Sequence, residues 1–181
     1  LIIRVPGKLA AGERRAQVCN LIDVAATMLD ALDAPALPHG QGRSLMPLLR
    51  DRRSAWVDET FIEHCTDVVP AWTGGRSVQQ RALRRGQWKL IYHHGEAPQL
   101  FDLAHDPHER EDLAANAAHA SIRDTLIARV LEGWDPAAIG AQIRARRDDK
   151  NVIDQWARNV RPADGFRWQL RPELNYLESG A

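Results

Sequence analysis

The chain has 181 residues and a mass of 20.3 kDa, with 24 Lys+Arg balancing 24 Asp+Glu. That length suits one ordinary domain, and a zero net charge with a pI near 7.2 excludes a polyanion binder driven by overall charge. No apolar run approaches the ~20 residues of a membrane span, and two cysteines without a CxxC pair suit buried or reduced thiols better than a disulfide framework.

In chain order, Leu1-Ile2-Ile3-Arg4-Val5-Pro6-Gly7 reads as a buried strand ending in a Pro-Gly turn. Such a strand is either a docked edge strand at a mature N-terminus or the back end of something longer. From Asn20 the pattern turns helical, with Leu21, Ala25, Met28, Leu29 and Leu32 on one face and Asn20 with Asp23 resembling a capping box. Pro35 and Pro38 end that helix. The loop from Gly40 to Ser44 runs into Leu45-Met46-Pro47-Leu48-Leu49, a short apolar turn or helix. Glu59 to His64 looks like a strand, followed by a loop from Pro70 to Gly75. A hairpin comes next: Ala82-Leu83-Arg84 leads through Gly86 to alternating Trp88, Leu90 and Tyr92, and the chain returns through Gln99 to Leu103. Asp106-Pro107-His108-Glu109 signals a helix start, and Asn116 a second one that runs through Ile122, Leu126 and Val130 to Gly133. Asp135-Pro136 repeats the device and opens a further helix through Ile139 and Ile143, with a mixed-charge face from Arg144 to Lys150. Residues 161–181 read as an irregular tail carrying Phe166, Trp168 and Tyr176.

A search for chemistry finds no self-contained catalytic set. Cys65 follows His64, but neighbours on a strand point to opposite faces, and Cys19 has no base placed beside it. The crowded His105-Asp106-Pro107-His108-Glu109 is explained as a turn and cap, without HExxH or CxxC spacing. His64 beside Glu63 is the candidate polar pair for the mouth of a substrate cleft. Arg81, Arg84, Arg85 and Lys89 around Trp88 raise single-strand nucleic-acid binding. Alternation is expected to put the aromatics on the core side, opposite the cations, so no nucleic-acid partner is expected. The residues alone describe an α+β module.

The order of several motifs is similar to the C-terminal part of a sulfatase, in the alkaline-phosphatase-like superfamily. Leu1 to Gly7 resembles the strand and turn after the family's last metal-binding motif. Asn20-Leu21-Ile22-Asp23-Val24 with Thr27-Met28-Leu29-Asp30 resembles its "NIDVxPTLLDLAG" helix, with Ala26 where Pro is usual. Gly42-Arg43-Ser44-Leu45-Met46-Pro47-Leu48-Leu49 resembles "GRSLLPLL", and Arg85-Gly86-Gln87-Trp88-Lys89-Leu90-Ile91-Tyr92 resembles the "GKWKYI" strand. Gln99 to Leu103 with Asp106, Pro107, Glu109, Leu113 and Ala114 resembles "QLFDLxxDPxExxNLA". The stretch after Trp134 is most similar to choline-sulfatase-type members.

The resemblance implies an α/β sulfatase fold seen through its C-terminal portion. Residues 1–55 would end the main α/β domain with its last strand and helix. Residues 56–134 would form an antiparallel-sheet subdomain packed on a helix, and residues 135–181 a helical extension and tail. It implies a sulfuric ester hydrolase acting on a sulfate-ester small molecule, with Ca²⁺ or Mg²⁺ and a formylglycine made within C/S-x-P/A-x-R. Neither cysteine here stands in that motif, so nucleophile and metal ligands are expected upstream, and none is carried onto this chain. The segment would wall the active-site mouth and support homo-oligomer contacts through Phe166, Trp168 and Tyr176. A related phosphonate or phosphate ester hydrolase and a non-catalytic partner-binding module are the alternatives. No membrane partner is expected. A cytoplasmic location is the expectation, with the periplasm as alternative, since the N-terminus of the longer protein is not in view.

Overall fold

The computed structural model describes residues 1–66 and 77–161. The expected loop from Pro70 to Gly75 and the aromatic tail therefore lie outside the described residues. Four strands, β1 (Glu59–Thr66), β2 (Val78–Arg85), β3 (Trp88–His93) and β4 (Gln99–Asp102), form an antiparallel sheet in that spatial order. Phe61, Leu83, Leu90 and Leu100 line up across it, each opposite the next. Strand alternation sends this row to one face, where Leu83, Leu90 and Leu100 are wholly buried. The hairpin between β2 and β3 has a two-residue turn with Gly86 at φ 55°, a conformation that matches the twist of the flanking strands.

The helices are α1 (Ile22–Ala31), α2 (Met46–Arg50), α3 (Ala120–Leu131) and α4 (Pro136–Val160). Leu126 and Val130, four apart on α3, close over the leucine row, and Trp134 joins them with its ring edge-on to Tyr92 at 6.1 Å. Asn116 accepts a bond from the Ala118 N–H and starts a 3₁₀ turn that leads into α3. Asp135 caps α4 as expected, its Oδ1 accepting from the Ala138 N–H at 3.0 Å, with Pro136 in the first helical position. Asp135→Ala is expected to cost about 1 kcal/mol and to lower the melting temperature by a few degrees, with Asp135→Asn restoring most of it. Thermal melts check this. Among the described residues no helix is long and apolar enough to cross a membrane.

Three expectations are corrected. Residues 1–5 form no strand, and Leu1 and Ile2 are exposed. A strand exists through its ladder, and among the described residues none lies beside them. The Asp106 signal does not start a helix. Its carboxylate instead accepts the N–H groups of Arg110 and Glu111, and Glu109 adopts φ 54°, which a continuing right-handed helix cannot use. The third concerns α1, whose inward face is polar rather than apolar. Asp23 and Thr27 are its buried residues, while Leu21 is 83% exposed and Met28 60%.

Hydrogen bonding explains that inversion. Asp23 Oδ2 accepts from the Asn20 N–H and Oδ1 from the Arg43 N–H, each at 2.8 Å. Thr27 Oγ1 donates to the Asp23 carbonyl and accepts from the Leu45 N–H at 2.9 Å, and the Ser44 hydroxyl donates to Asp30. Buried N–H groups of an irregular loop need acceptors, so the acceptor-bearing face of α1 turns towards residues 43–45. Gly42 lets the loop come that close, since a Cβ there would sit 2.1 Å from the Ile22 carbonyl oxygen.

Side chains from this region also reach the free edge of β1. Asn20 Nδ2 donates to the Phe61 carbonyl at 3.0 Å, and Arg43 Nη2 to the Glu59 carbonyl at 3.0 Å. On β4, the Leu100 carbonyl accepts the Leu113 N–H and the Leu100 N–H donates to Asp112.

Candidate functional site

The candidate site lies at the outer end of β1, where Glu63 and His64 come last before Cys65 and Thr66. The structure separates the pair. Glu63 shares the α3-facing side with Phe61 and Cys65, whereas His64 takes the opposite side with Thr60 and Ile62. Glu63 stands opposite Arg81 on β2, with 3.1 Å between its Oε1 and Arg81 Nε. His64 pairs with Gln80 in the ladder, but its side chain is exposed and has no hydrogen-bond or ion-pair partner among the described residues.

Arg81 is the organising group here. Its guanidinium lies 4.0 Å from the Phe61 ring centroid and 5.8 Å from that of Trp134, and Nη1 donates to the Val130 carbonyl at 2.9 Å. Burial draws the Arg81 pKa down from its ordinary value, and Glu63 opposes that. Glu63 therefore serves as a counter-ion to a half-buried cation. Burial, followed by the nearby Glu63 charge, raises the Cys65 thiol, the reverse of what a thiolate nucleophile requires. Cys19 is a free, exposed thiol.

Arg81 also corrects the reading of the basic run. Arg81 pairs with Tyr92 and Arg85 with Trp88, so these two cations share the aromatic face, and only Arg84 and Lys89 occupy the other. A turn of two residues preserves pairing across the hairpin but resets the parity that simple alternation assumes. On that other face Lys89 binds Glu109 at 2.5 Å beside a cleft of about 360 Å³, whose lining includes Thr60, Ile62 and Arg84.

The second ionic centre, which sequence reasoning missed, joins α3 to the sheet. Glu59 is 7% exposed, and its Oε1 accepts from Arg129 Nη2 at 2.5 Å and Nε at 3.1 Å, with Arg85 at 3.8 Å. The Arg129 bond holds the Glu59 carboxyl below its ordinary value against the effect of burial, and the bonds to Glu59 and Glu132 raise Arg129. The two partners lie 70 positions apart, and no local motif marks the pairing.

A larger groove of about 620 Å³ runs along α1, lined by Ile22, Ala26, Leu29, Leu37 and Ser44 among others. Among the described residues no three His, Cys, Asp or Glu side chains converge as a metal site. His105 Nδ1 lies 2.8 Å from Asp102 Oδ2, while Asp106 is occupied as a turn acceptor. His105, Asp102 and Asp106 do not fit a resident Ca²⁺ or Mg²⁺.

This arrangement of a four-stranded antiparallel sheet under a helix recurs in a solved phosphonate monoester hydrolase of Agrobacterium radiobacter. The TM-score is 0.51 with 27% identity, over 67% of this chain and 24% of that one. The fold is that of the C-terminal portion of sulfatase/alkaline-phosphatase-like proteins. The family model described as "N-sulphoglucosamine sulphohydrolase, C-terminal" matches residues 1–134, and the chain belongs to that sulfatase family. It is 33% identical over 127 residues to arylsulfatase K of Gallus gallus, covering 63% of this chain and 22% of that protein. To the choline-sulfatase of Rhizobium meliloti (strain 1021) it is 29% identical over 170 residues, covering 88% and 30%. The chain thus spans less than a third of the length of these curated relatives.

Proposed function

We propose that the chain is the C-terminal part of a metal-dependent sulfuric ester hydrolase, whose nucleophile and cation ligands are supplied by the remainder of a longer polypeptide. The observation that carries this is α1: its polar side is consumed within the chain, while Leu21, Met28 and Leu32 face outward beside the 620 Å³ groove. A contiguous apolar surface on that scale marks a face made for packing, and the family's longer members carry the additional chain that would cover it. Formylglycine and Ca²⁺ or Mg²⁺ belong to that additional part. The outer end of β1, with exposed His64, would wall the mouth of the reaction centre, and Glu63 would hold the strand end in place through Arg81. The likeness to a phosphonate monoester hydrolase favours a second reading, in which the ester cleaved is a phosphonate.

The test compares the longer polypeptide with the 181-residue chain on an aryl sulfate, choline sulfate and an aryl phosphonate monoester, with and without Ca²⁺. The longer protein is expected to hydrolyse a sulfate ester at least ~10-fold faster than the phosphonate ester. The opposite order establishes the second reading, and metal-dependent turnover by the short chain alone overturns both. In the longer enzyme, His64→Ala is expected to raise KM several-fold while changing stability by less than about 0.5 kcal/mol, because its side chain is exposed and unbonded. An unchanged KM removes His64 from the mouth.

A further inference from the structure

Gly140 stands in the first half of α4, buried against β2. A glycine inside a helix weakens it and normally has a packing or backbone reason. Neither reason applies here. Its φ is not in the left-handed region, and a Cβ would meet nothing closer than 3.4 Å, an ordinary contact. The missing methyl leaves a notch with room for one methyl-sized group. Arg144 Nη1 and the amide Cδ and Nε2 of Gln79 border it, each 3.4 Å from where a Cβ would stand.

Both bordering nitrogens lack an acceptor. Gln79 is 7% exposed, and its Nε2 has no hydrogen-bond partner. Leaving a buried amide N–H unpaired is costly, and native folds rarely do so. Arg144 is exposed overall, and its guanidinium has no hydrogen bond or ion pair among the described residues. The other buried side-chain atoms there without a hydrogen bond, Arg81 Nε and Trp134 Nε1, are donors as well.

We propose that the notch holds one small monovalent anion of chloride size, hydrogen-bonded by Gln79 Nε2 and drawn in by the Arg144 guanidinium, which pins the first half of α4 to β2. A water there would need acceptors for its own O–H groups, and among the described residues only donors are left over. An anion accepts without donating. The adjacent charge suits it, since Arg144 is unpaired and Arg81, two residues from Gln79 on the same strand face, already engages Glu63. The notch is too small for a tetrahedral oxyanion or for another stretch of chain, because Gly140 and Gln79 are already buried between α4 and β2.

Hydrogen exchange of amides 140–147 in the full-length protein tests the proposal, in sodium chloride against sodium gluconate at equal ionic strength. Gluconate is too large for the notch. Wild-type exchange is expected to be at least ~5-fold slower in chloride, with a saturable dependence. Gly140→Ala places a methyl in the notch, folds at least as readily because alanine is the better helix former, and is expected to exchange equally in both salts. Arg144→Gln is expected to raise the half-saturating chloride at least ~5-fold. Crystals grown in bromide are expected to show an anomalous peak beside Gln79 Nε2. Equal wild-type exchange in the two salts overturns the proposal, and a bromide peak in that case means an adventitious ion only. A chloride effect that Gly140→Ala retains, a half-saturation that Arg144→Gln leaves unchanged, or an ordered water in place of bromide overturns it as well.

Discussion

Gly42→Ala is expected to destabilise the chain by about 3 kcal/mol, several times the effect of an ordinary surface substitution. The added methyl would meet the Ile22 carbonyl oxygen at 2.1 Å and its carbon at 2.7 Å, both backbone atoms of the first turn of α1. No rotamer change can relieve a clash with backbone, so the loop must withdraw. Withdrawal stretches the bond from the Arg43 N–H to Asp23 and then that from the Leu45 N–H to Thr27. Asp23→Ala attacks the same joint from the other side. It leaves the N–H groups of Asn20 and Arg43 without their acceptor, at ~1–3 kcal/mol for each buried orphan. Because both substitutions break one joint, the double variant should lose less than the sum of the singles. Urea unfolding with unchanged m-values checks all three, and a loss below 1 kcal/mol for Gly42→Ala would mean that α1 is free to move.

Arg129→Ala should cost about 2 kcal/mol by breaking the joint between α3 and the sheet. Breaking a fully buried ion pair typically costs ~3–5 kcal/mol, and the figure is lower here because a third of the Arg129 side chain is open to water. The remaining Glu59 carboxylate would keep only Arg85 at 3.8 Å. The effect carries a pH signature. Glu59 has its pKa lowered in the folded chain from an ordinary 4.5, so its contribution is complete above about 4.5. That contribution is lost as pH falls through the lower folded value. The gap between wild type and Arg129→Ala should therefore be constant near neutral pH and narrow in acid. Glu59→Gln should cost less and flatten the same acid limb, since Arg129 can turn to solvent and Glu132. Denaturation at pH 7 and at pH 3 separates these outcomes.

The sheet was legible from residues 59–103 because each strand alternates and the turns carry Gly86 and Gly95. Those signals are local; the turn at Gly86 sets Leu83 opposite Leu90, whereas the pairing of Phe61 with Leu83, 22 positions away, had no local signal. Asp135-Pro136 was legible for the same reason. The orientation of α1 was not. Its apolar spacing is real, but periodicity reports amphipathicity without saying whether the chain at hand supplies a partner for the apolar side. What decides is a loop 20 residues away whose N–H groups need Asp23 and Thr27. Asp106-Pro107 shows a similar limit, since a cap can satisfy a turn as fully as a helix. At the candidate site, Glu63 and His64 were marked by residue type, while Arg81, which determines what Glu63 does, was concealed in a basic run until the hairpin register placed it.

Asn20 and Arg43 on one side and Asp112 on the other have a consequence for how copies of this chain meet. Each plugs backbone groups that a foreign strand would otherwise recruit, so the sheet is stoppered at both margins against runaway lateral growth. Asn20→Leu would unplug one margin, and slow fibrillar precipitation would be its hallmark.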